Sequence, residues 1–301
     1  MEAKILQKHL DQGCTLQPLT PEASSRRYFR ITGSKPPLIW VKSDQCFDKN
    51  SADILSSCKI PTPQLINEHK NGHIIEDCGD HHLKDDPSLK NYQKLWEQWL
   101  KFHVKKLPDH HSNFHLKLDK DLFVKELFLF IKEYVLEYRR KKIQGKELLN
   151  IKKHLTLLAK ESSLGPQSLQ HRDFHSKNIL LSKNNNLPVW IDFQDMRQGP
   201  IFYDLASLYT DAYVKIEEDI YSFIREKVIF LGKKNNLIDK DSIHQFNVTA
   251  LQRVLKALGT FGKLLNNGRN EYKDAEIKAK SSALGLCDQL TDYYDLRDLI
   301  R

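Results

Sequence analysis

The 301 residues are enough for one two-lobed domain or two small ones, and the net charge of +8 is carried by lysines spread along the chain. Hydrophobic content of 40% is that of an ordinary globular protein, and no run of about 18 apolar residues is present, so no membrane span is expected. Arg139, Arg140, Lys141 and Lys142 form the one tight basic run, which reads as a solvated helix end, so a nucleic-acid partner is not expected.

The first residues mix charge into what would have to be the apolar core of a signal peptide. Cys14, Cys46, Cys58, Cys78 and Cys287 are odd in number and lack C-x-x-C spacing. Both features predict reduced thiols in a cytoplasmic protein.

Residues 4–12 are predicted to form a lead-in helix. Residues 15–19 and 27–31 read as strands flanking the loop 20–26, and residues 38–41 read as a third strand after the turn at 33–37. Residues 51–58 are predicted as a helix, and 64–68 and 73–76 as two further strands around Asn71-Gly72. From residue 88 the period changes to that of helices, with Tyr92, Leu95, Trp96, Trp99 and Leu100, then Phe123, Leu127, Phe130, Ile131 and Tyr134, as core positions. Further helices are expected over 148–161, 201–214, 216–235, 241–265 and 271–292. These patterns predict a small nucleotide-binding lobe over 1–82 and a helical lobe over 83–301, with the change of pattern falling within 78–87.

The chemistry concentrates in residues 169–195. Asp173 stands two residues after His171, Asn178 five after Asp173, and Asp192 fourteen after Asn178 at the end of the apolar run Val189-Trp190-Ile191. This is the order and spacing of an H-R-D-x-x-x-x-N catalytic loop followed by a metal-binding aspartate. Phosphoryl transfer needs an acceptor hydroxyl held in line and cations on the phosphate oxygens. Asp173 is therefore the expected catalytic carboxylate, accepting the hydroxyl proton. Mg²⁺ takes hard oxygen ligands and keeps several waters, so one or two protein groups suffice, and Asn178 and Asp192 are the expected ones. The runs 179–181 and 189–191 read as a hairpin that returns both residues to the same end. The implied co-substrate is ATP.

Upstream, the loop 20–26 is placed to cover phosphates without a G-x-G-x-x-G motif. Ser24 and Ser25 offer hydroxyl and N–H donors, with Arg26 or Arg27 adding charge. Lys42 ends the third strand, where kinases carry the lysine that holds the α- and β-phosphates. Residues 74–77, with Glu76, would form a hinge whose backbone bonds adenine.

Beyond these motifs, G-P-I-F-Y-D-L-A-S-L at 199–208 resembles a stretch of the aminoglycoside phosphotransferase and choline kinase-like superfamily. Asp204 stands only twelve positions after Asp192, which leaves little room for a peptide-docking activation segment and favours a small-molecule acceptor. A-S-S-R-R-Y-F-R at 23–30, D-F-Q-D at 192–195 and Q-R-V-L-K-A-L-G-T-F at 252–261 resemble the bacterial anomeric kinases of N-acetylmuramate and N-acetylglucosamine.

The resemblance implies an α+β, protein kinase-like two-lobed fold and an ATP- and Mg²⁺-dependent kinase acting on a sugar C1 hydroxyl in cell-wall sugar recycling. On that reading His175 and Asp195 are expected to bond sugar hydroxyls. Asp204 is expected to brace the catalytic loop, and Arg253, on a helix face shared with Lys256, to pair with a lactyl carboxylate. A kinase of another small hydroxyl compound, such as an aminoglycoside or choline, and a catalytically silent nucleotide-binding module remain open alternatives. The sequence leaves the oligomeric state open.

Overall fold

The computed structural model describes residues 13–19, 26–105, 116–182 and 187–301. The expected helix at 4–12, Ser24, Ser25 and the turn of the 179–191 hairpin lie outside the described residues. Contacts divide the chain into two compact units, Met1–Leu83 with Asn178–Gln194, and Lys84–Lys177 with Asp195–Arg301.

The first unit is built on an antiparallel sheet of β1 (Thr15–Pro18), β2 (Arg27–Thr32), β3 (Leu38–Lys42), β4 (Leu65–His69) and β5 (Gly72–Glu76), in the order β1-β2-β3-β5-β4. One helix, α1 (Lys49–Ser57), follows β3. The Asp48 carboxylate caps it, accepting from the Ser51 N–H and hydroxyl at 3.1 and 2.7 Å. Ile31, Leu38, Trp40 and Ile74 form a buried cluster with Cys14, Leu16 and Phe29 against it.

Residues 178–194 join this unit through β7 (Ile179–Leu181) and β8 (Pro188–Trp190). The Leu181 N–H donates to the His81 carbonyl at 2.7 Å and the Trp190 N–H to the Pro61 carbonyl at 2.9 Å. Backbone bonds of this kind link residues a hundred positions apart, so a boundary drawn at one point along the sequence does not describe the partition.

The second unit is helical: α2 (Leu89–His103), α3 (Lys120–Leu129) running on into a π-helical stretch Phe130–Tyr138, α4 (Gly145–Ser162), α5 (Tyr203–Tyr209), α6 (Glu218–Lys234), α7 (Asp239–Asn266), α8 (Lys273–Gln289) and the short α9 (Leu296–Ile300). The 28-residue α7 lies against the π-helical stretch. Their close approach depends on Gly259 and Gly262, where an added Cβ would stand 2.9 Å from the Phe130 backbone and 2.7 Å from the Glu133 carbonyl. That contact fixes the height of the α7 turn carrying Arg253 and Lys256.

Two strands the sequence pattern did not reveal, β6 (Gln167–Gln170) and β9 (Arg197–Pro200), pair antiparallel from Gln167↔Pro200 to Gln170↔Arg197. They tie down the residues just before His171 and just after Asp195. The helix expected over 201–214 stops at Tyr209 because Asp211 takes up the Tyr213 N–H at 2.9 Å and turns the chain. Among the described residues no helix is long and apolar enough to cross a membrane.

Candidate active site

In the first unit the hairpin ladder runs Ile179↔Trp190 and is extended by the Ile191 N–H donating to the Asn178 carbonyl at 3.0 Å. Asn178 therefore stands just before β7 and Asp192 two residues after β8, at the same end of the hairpin. Asn178 is buried, whereas the Asp192 side chain is 40% exposed. Asp192 has a φ of 60°, a left-handed conformation that aspartate tolerates better than most residues. Gln194 Nε2 donates to Asp192 Oδ1 at 2.7 Å, and Arg26 Nη1 stands 4.0 Å from the same oxygen. Among the described residues no three His, Cys, Asp or Glu side chains form a metal cluster, which Mg²⁺ does not require. An amide and a carboxylate at one hairpin end supply the hard oxygen donors that this ion takes.

Arg26 also reaches Gln45, donating to Oε1 at 3.0 Å. Behind it His73 is pushed down to about 4, by burial first and then by the Arg26 charge. Phe47 packs edge-on against both His73 and Phe193, the residue after Asp192.

Sheet parity places Lys42 elsewhere. Leu38 and Trp40 point into the Ile31–Ile74 cluster, and Lys42, two residues on, shares their face. Val41 and its partner His73 occupy the opposite face, where Phe47, Phe193 and Arg26 gather. Lys42 is exposed at the strand end, and the structure does not bring it to Asp192. Glu76 pairs with Leu38, so its side chain belongs to the Lys42 face, and its N–H donates to the Gln64 carbonyl at 2.9 Å.

In the second unit Asp173 sits among cations. Its Oδ1 is 3.2 Å from Lys256 Nζ and 3.8 Å from Arg253 Nη2. Burial pushes the Asp173 carboxyl up, but Lys256, Arg253 and Arg172 together hold it well below the usual carboxylate range. Arg253 is buried, donates Nε–H to the Ser207 hydroxyl at 2.6 Å and lies over the Tyr203 ring. Lys256 also stands 3.6 Å from Glu126 Oε1, and Glu126 accepts from Gln252 at 2.9 Å. Arg172 bridges Glu126 and Asp195, at 3.4 Å from each. His175 lies beside the Tyr213 ring and is pushed down to about 3, chiefly by burial, so the imidazole is neutral at physiological pH.

The backbone of this loop is held by two carboxylates. Asp204 accepts from the His171 N–H at 2.8 Å, the Arg172 N–H at 3.0 Å and the Trp99 indole at 3.1 Å. These bonds offset the strained φ of 80° at Arg172. Asp211 accepts from the Ser176 N–H at 2.6 Å. The sequence reading anticipated the bracing role of Asp204. It did not identify Lys256, Glu126 or Asp211 as members of the site. Arg253 and Lys256 stand three residues apart on one helix, a spacing that places two cations on one face, and this was the available signal.

The five-stranded antiparallel sheet with helix α1, followed by a helical unit that carries the H-R-D loop, is the protein kinase-like α+β fold. Solved structures with this fold include the Plasmodium vivax ethanolamine kinase (TM-score 0.61, 13% identity, 93% of this chain and 85% of that one). The ADP-bound aminoglycoside phosphotransferase APH(2'')-Ib has a TM-score of 0.57 at 17% identity, over 93% of this chain and 98% of that one.

The chain matches the phosphotransferase enzyme family over residues 15–222 and belongs to it. A curated relative, the N-acetylmuramate/N-acetylglucosamine kinase of Pseudomonas aeruginosa, is 26% identical over 270 residues, covering 85% of this chain and 79% of that protein. The protein of the same name from Neisseria meningitidis serogroup B is 28% identical over 163 residues, 52% of this chain and 47% of that one.

Proposed function

We propose that this member of the phosphotransferase family is an ATP-dependent kinase of a small-molecule hydroxyl, with the anomeric C1 hydroxyl of N-acetylmuramate or N-acetylglucosamine as acceptor. The observation that carries the reading is the setting of Asp173, whose Oδ1 lies 3.2 Å from Lys256 Nζ and 3.8 Å from Arg253 Nη2. A carboxylate of this kind is a weak base, and a weak base suits an acidic acceptor. The hydroxyl on the anomeric carbon, next to the ring oxygen, is a stronger acid than a simple alcohol. The names of the two curated relatives support the same acceptor, in line with the resemblance of residues 23–30, 192–195 and 252–261 to kinases of these sugars.

In this mechanism Asp173 accepts a hydrogen bond from the C1 hydroxyl, orients it and takes its proton as the γ-phosphoryl group transfers. Asp204 and Asp211 hold the loop so that Asp173 is already in place when substrate binds. Asn178 and Asp192 would hold Mg²⁺, which when bound neutralises the charge on the nucleotide phosphates. Arg26 adds charge beside Asp192, and Ser24 and Ser25, which precede it in the sequence, would offer hydroxyl and N–H donors to phosphate. Lys42, on the other face of the sheet, has no part in this mechanism. His175, Asp195 and Arg253 orient the sugar, Asp195 from its bond to Arg172. The neutral His175 ring can donate to one sugar oxygen and accept from another hydroxyl.

The test is ATP consumption with N-acetylmuramate, N-acetylglucosamine, choline and an aminoglycoside. Turnover confined to the two N-acetyl sugars is expected, and Asp173→Asn should lower kcat by about 10²–10⁴-fold. Turnover of choline or the aminoglycoside in place of the sugars overturns the reading.

A further inference from the structure

The groups around Asp173 are already matched in charge. Asp173 faces Lys256 and Arg253, Glu126 faces Lys256 and Arg172, and Asp195 faces Arg172. Asp204 and Asp211 are occupied by N–H donors. Every one of these carboxylates therefore has a cation or N–H partner from the protein, and Lys256 and Arg253, the two cations beside Asp173 Oδ1, offset its pull on a positive charge. Lys256 remains protonated in this setting: burial opposes its charge, but Asp173, Tyr203 and Glu126 outweigh it and raise its pKa.

We infer that Lys256, seconded by Arg253, is a charge filter on the acceptor, admitting uncharged or anionic hydroxyl compounds and rejecting those that carry an ammonium group next to the reacting hydroxyl. The inference rests on the reading of Asp173 as the carboxylate that faces the acceptor. A hydroxyl bonded to Asp173 Oδ1 shares that oxygen with Lys256 Nζ, 3.2 Å away. A substituent on the neighbouring carbon of the acceptor then lies on the order of 6 Å from the ammonium. At that distance, with an effective dielectric constant of about 20, repulsion from Lys256 lowers binding of a unit positive charge roughly 100-fold relative to the same site without it, which cancels the attraction that Asp173 would otherwise exert on an ammonium. Lys256 can move away only by leaving both Asp173 and Glu126. Arg253 is tied to Ser207 and stacked on Tyr203, so it cannot turn aside.

N-acetylglucosamine and glucosamine differ at one nitrogen, neutral in the first and an ammonium in the second at pH 6.5. The experiment compares kcat/KM for the two sugars at that pH in the wild type, Lys256→Arg and Lys256→Met. The expected result is a wild-type preference for the acetylated sugar. Lys256→Arg should keep most of that preference, and Lys256→Met should narrow it by at least 10-fold. Contacts to the acetyl group alone would leave the ratio unchanged between Lys256→Met and the wild type, and that result overturns the filter while leaving the sugar-kinase reading standing. Equal wild-type use of both sugars also overturns it. Turnover of glucosamine or choline without turnover of N-acetylglucosamine overturns both readings. Circular dichroism and thermal melts establish that each variant is folded, and Lys256→Gln serves in place of Lys256→Met if the latter does not fold.

Discussion

Replacing Asp204 separates the bracing of the catalytic loop from its chemistry. The carboxylate is fully buried and receives three donors, with Oδ2 taking the Trp99 indole and the His171 N–H and Oδ1 taking the Arg172 N–H. Asp204→Asn keeps one oxygen for Trp99 and His171 but turns an amide NH₂ toward the Arg172 N–H. That loses one charge-assisted bond and sets two donors face to face. Such a bond contributes about 1.5–3 kcal/mol, and relief of the cost of burying the charge, seen in the raised pKa of Asp204, offsets part of the loss.

Asp204→Ala leaves all three donors buried without an acceptor and should cost about 3–5 kcal/mol. For a unit of this size the corresponding drops in Tm are about 5 °C for Asn and about 10 °C or more for Ala. Arg172 keeps its left-handed φ only while its N–H is anchored, so release should shift Asp173 by a fraction of an ångström or more. The expected loss in kcat is then about 10²-fold, with little change in KM for ATP. Differential scanning calorimetry and initial-rate kinetics on the same preparations check both numbers. An Asp204→Ala protein that melts within 2 °C of the wild type, or turns over at the wild-type rate, refutes the bracing argument.

Arg26→Ala should raise the KM for ATP several-fold, because it removes a cation that stands 4.0 Å from Asp192, whereas Lys42→Ala should change it less than about 2-fold; the reverse order in nucleotide titrations would show that the face assignment is wrong. His103 is buried against Trp99 and held down to about 3, chiefly by burial. Its folded pKa lies below its unfolded value near 6.5, so the stability it contributes is complete above pH 6.5 and is lost as pH falls toward 3. Urea midpoints should therefore drop between pH 7 and pH 5, and the drop should be smaller in His103→Asn. Gly262→Val sets side-chain atoms against the Glu133 carbonyl and the Tyr134 backbone, and should cost about 2–3 kcal/mol in urea unfolding. A neutral effect there would mean that α7 and the π-helical stretch can move apart.

Elements whose signal is local were legible in the sequence. The five strands of the first unit and the long helices follow from alternation and from helical period, and the predicted ends lie within a few residues of the observed ones. The hairpin that sets Asn178 and Asp192 at one end was readable because two β-prone runs flank a polar turn. β6 and β9 were not, since Q-S-L-Q and R-Q-G-P carry no strand period and become strands through pairing with each other across the site loop.

Lys42 shows a different limit. Its position along the chain fits a phosphate-binding lysine, but face depends on parity relative to Trp40, and parity is read only once the core face of the sheet is known. Lys256 and Glu126 lie on helices far from the loop in sequence, so no spacing rule connects them to Asp173. Their membership comes from packing, in particular from the two glycines that let α7 approach its neighbour.

The position of the transferred phosphate decides whether Asp173 serves the C1 hydroxyl of a sugar. After incubation of the protein with ATP, Mg²⁺ and N-acetylglucosamine, a ³¹P resonance coupled to the anomeric proton of the sugar is expected, and that product should be lost in Asp173→Asn. A product phosphorylated at C6, or a 1-phosphate formed at the same rate without Asp173, would contradict it.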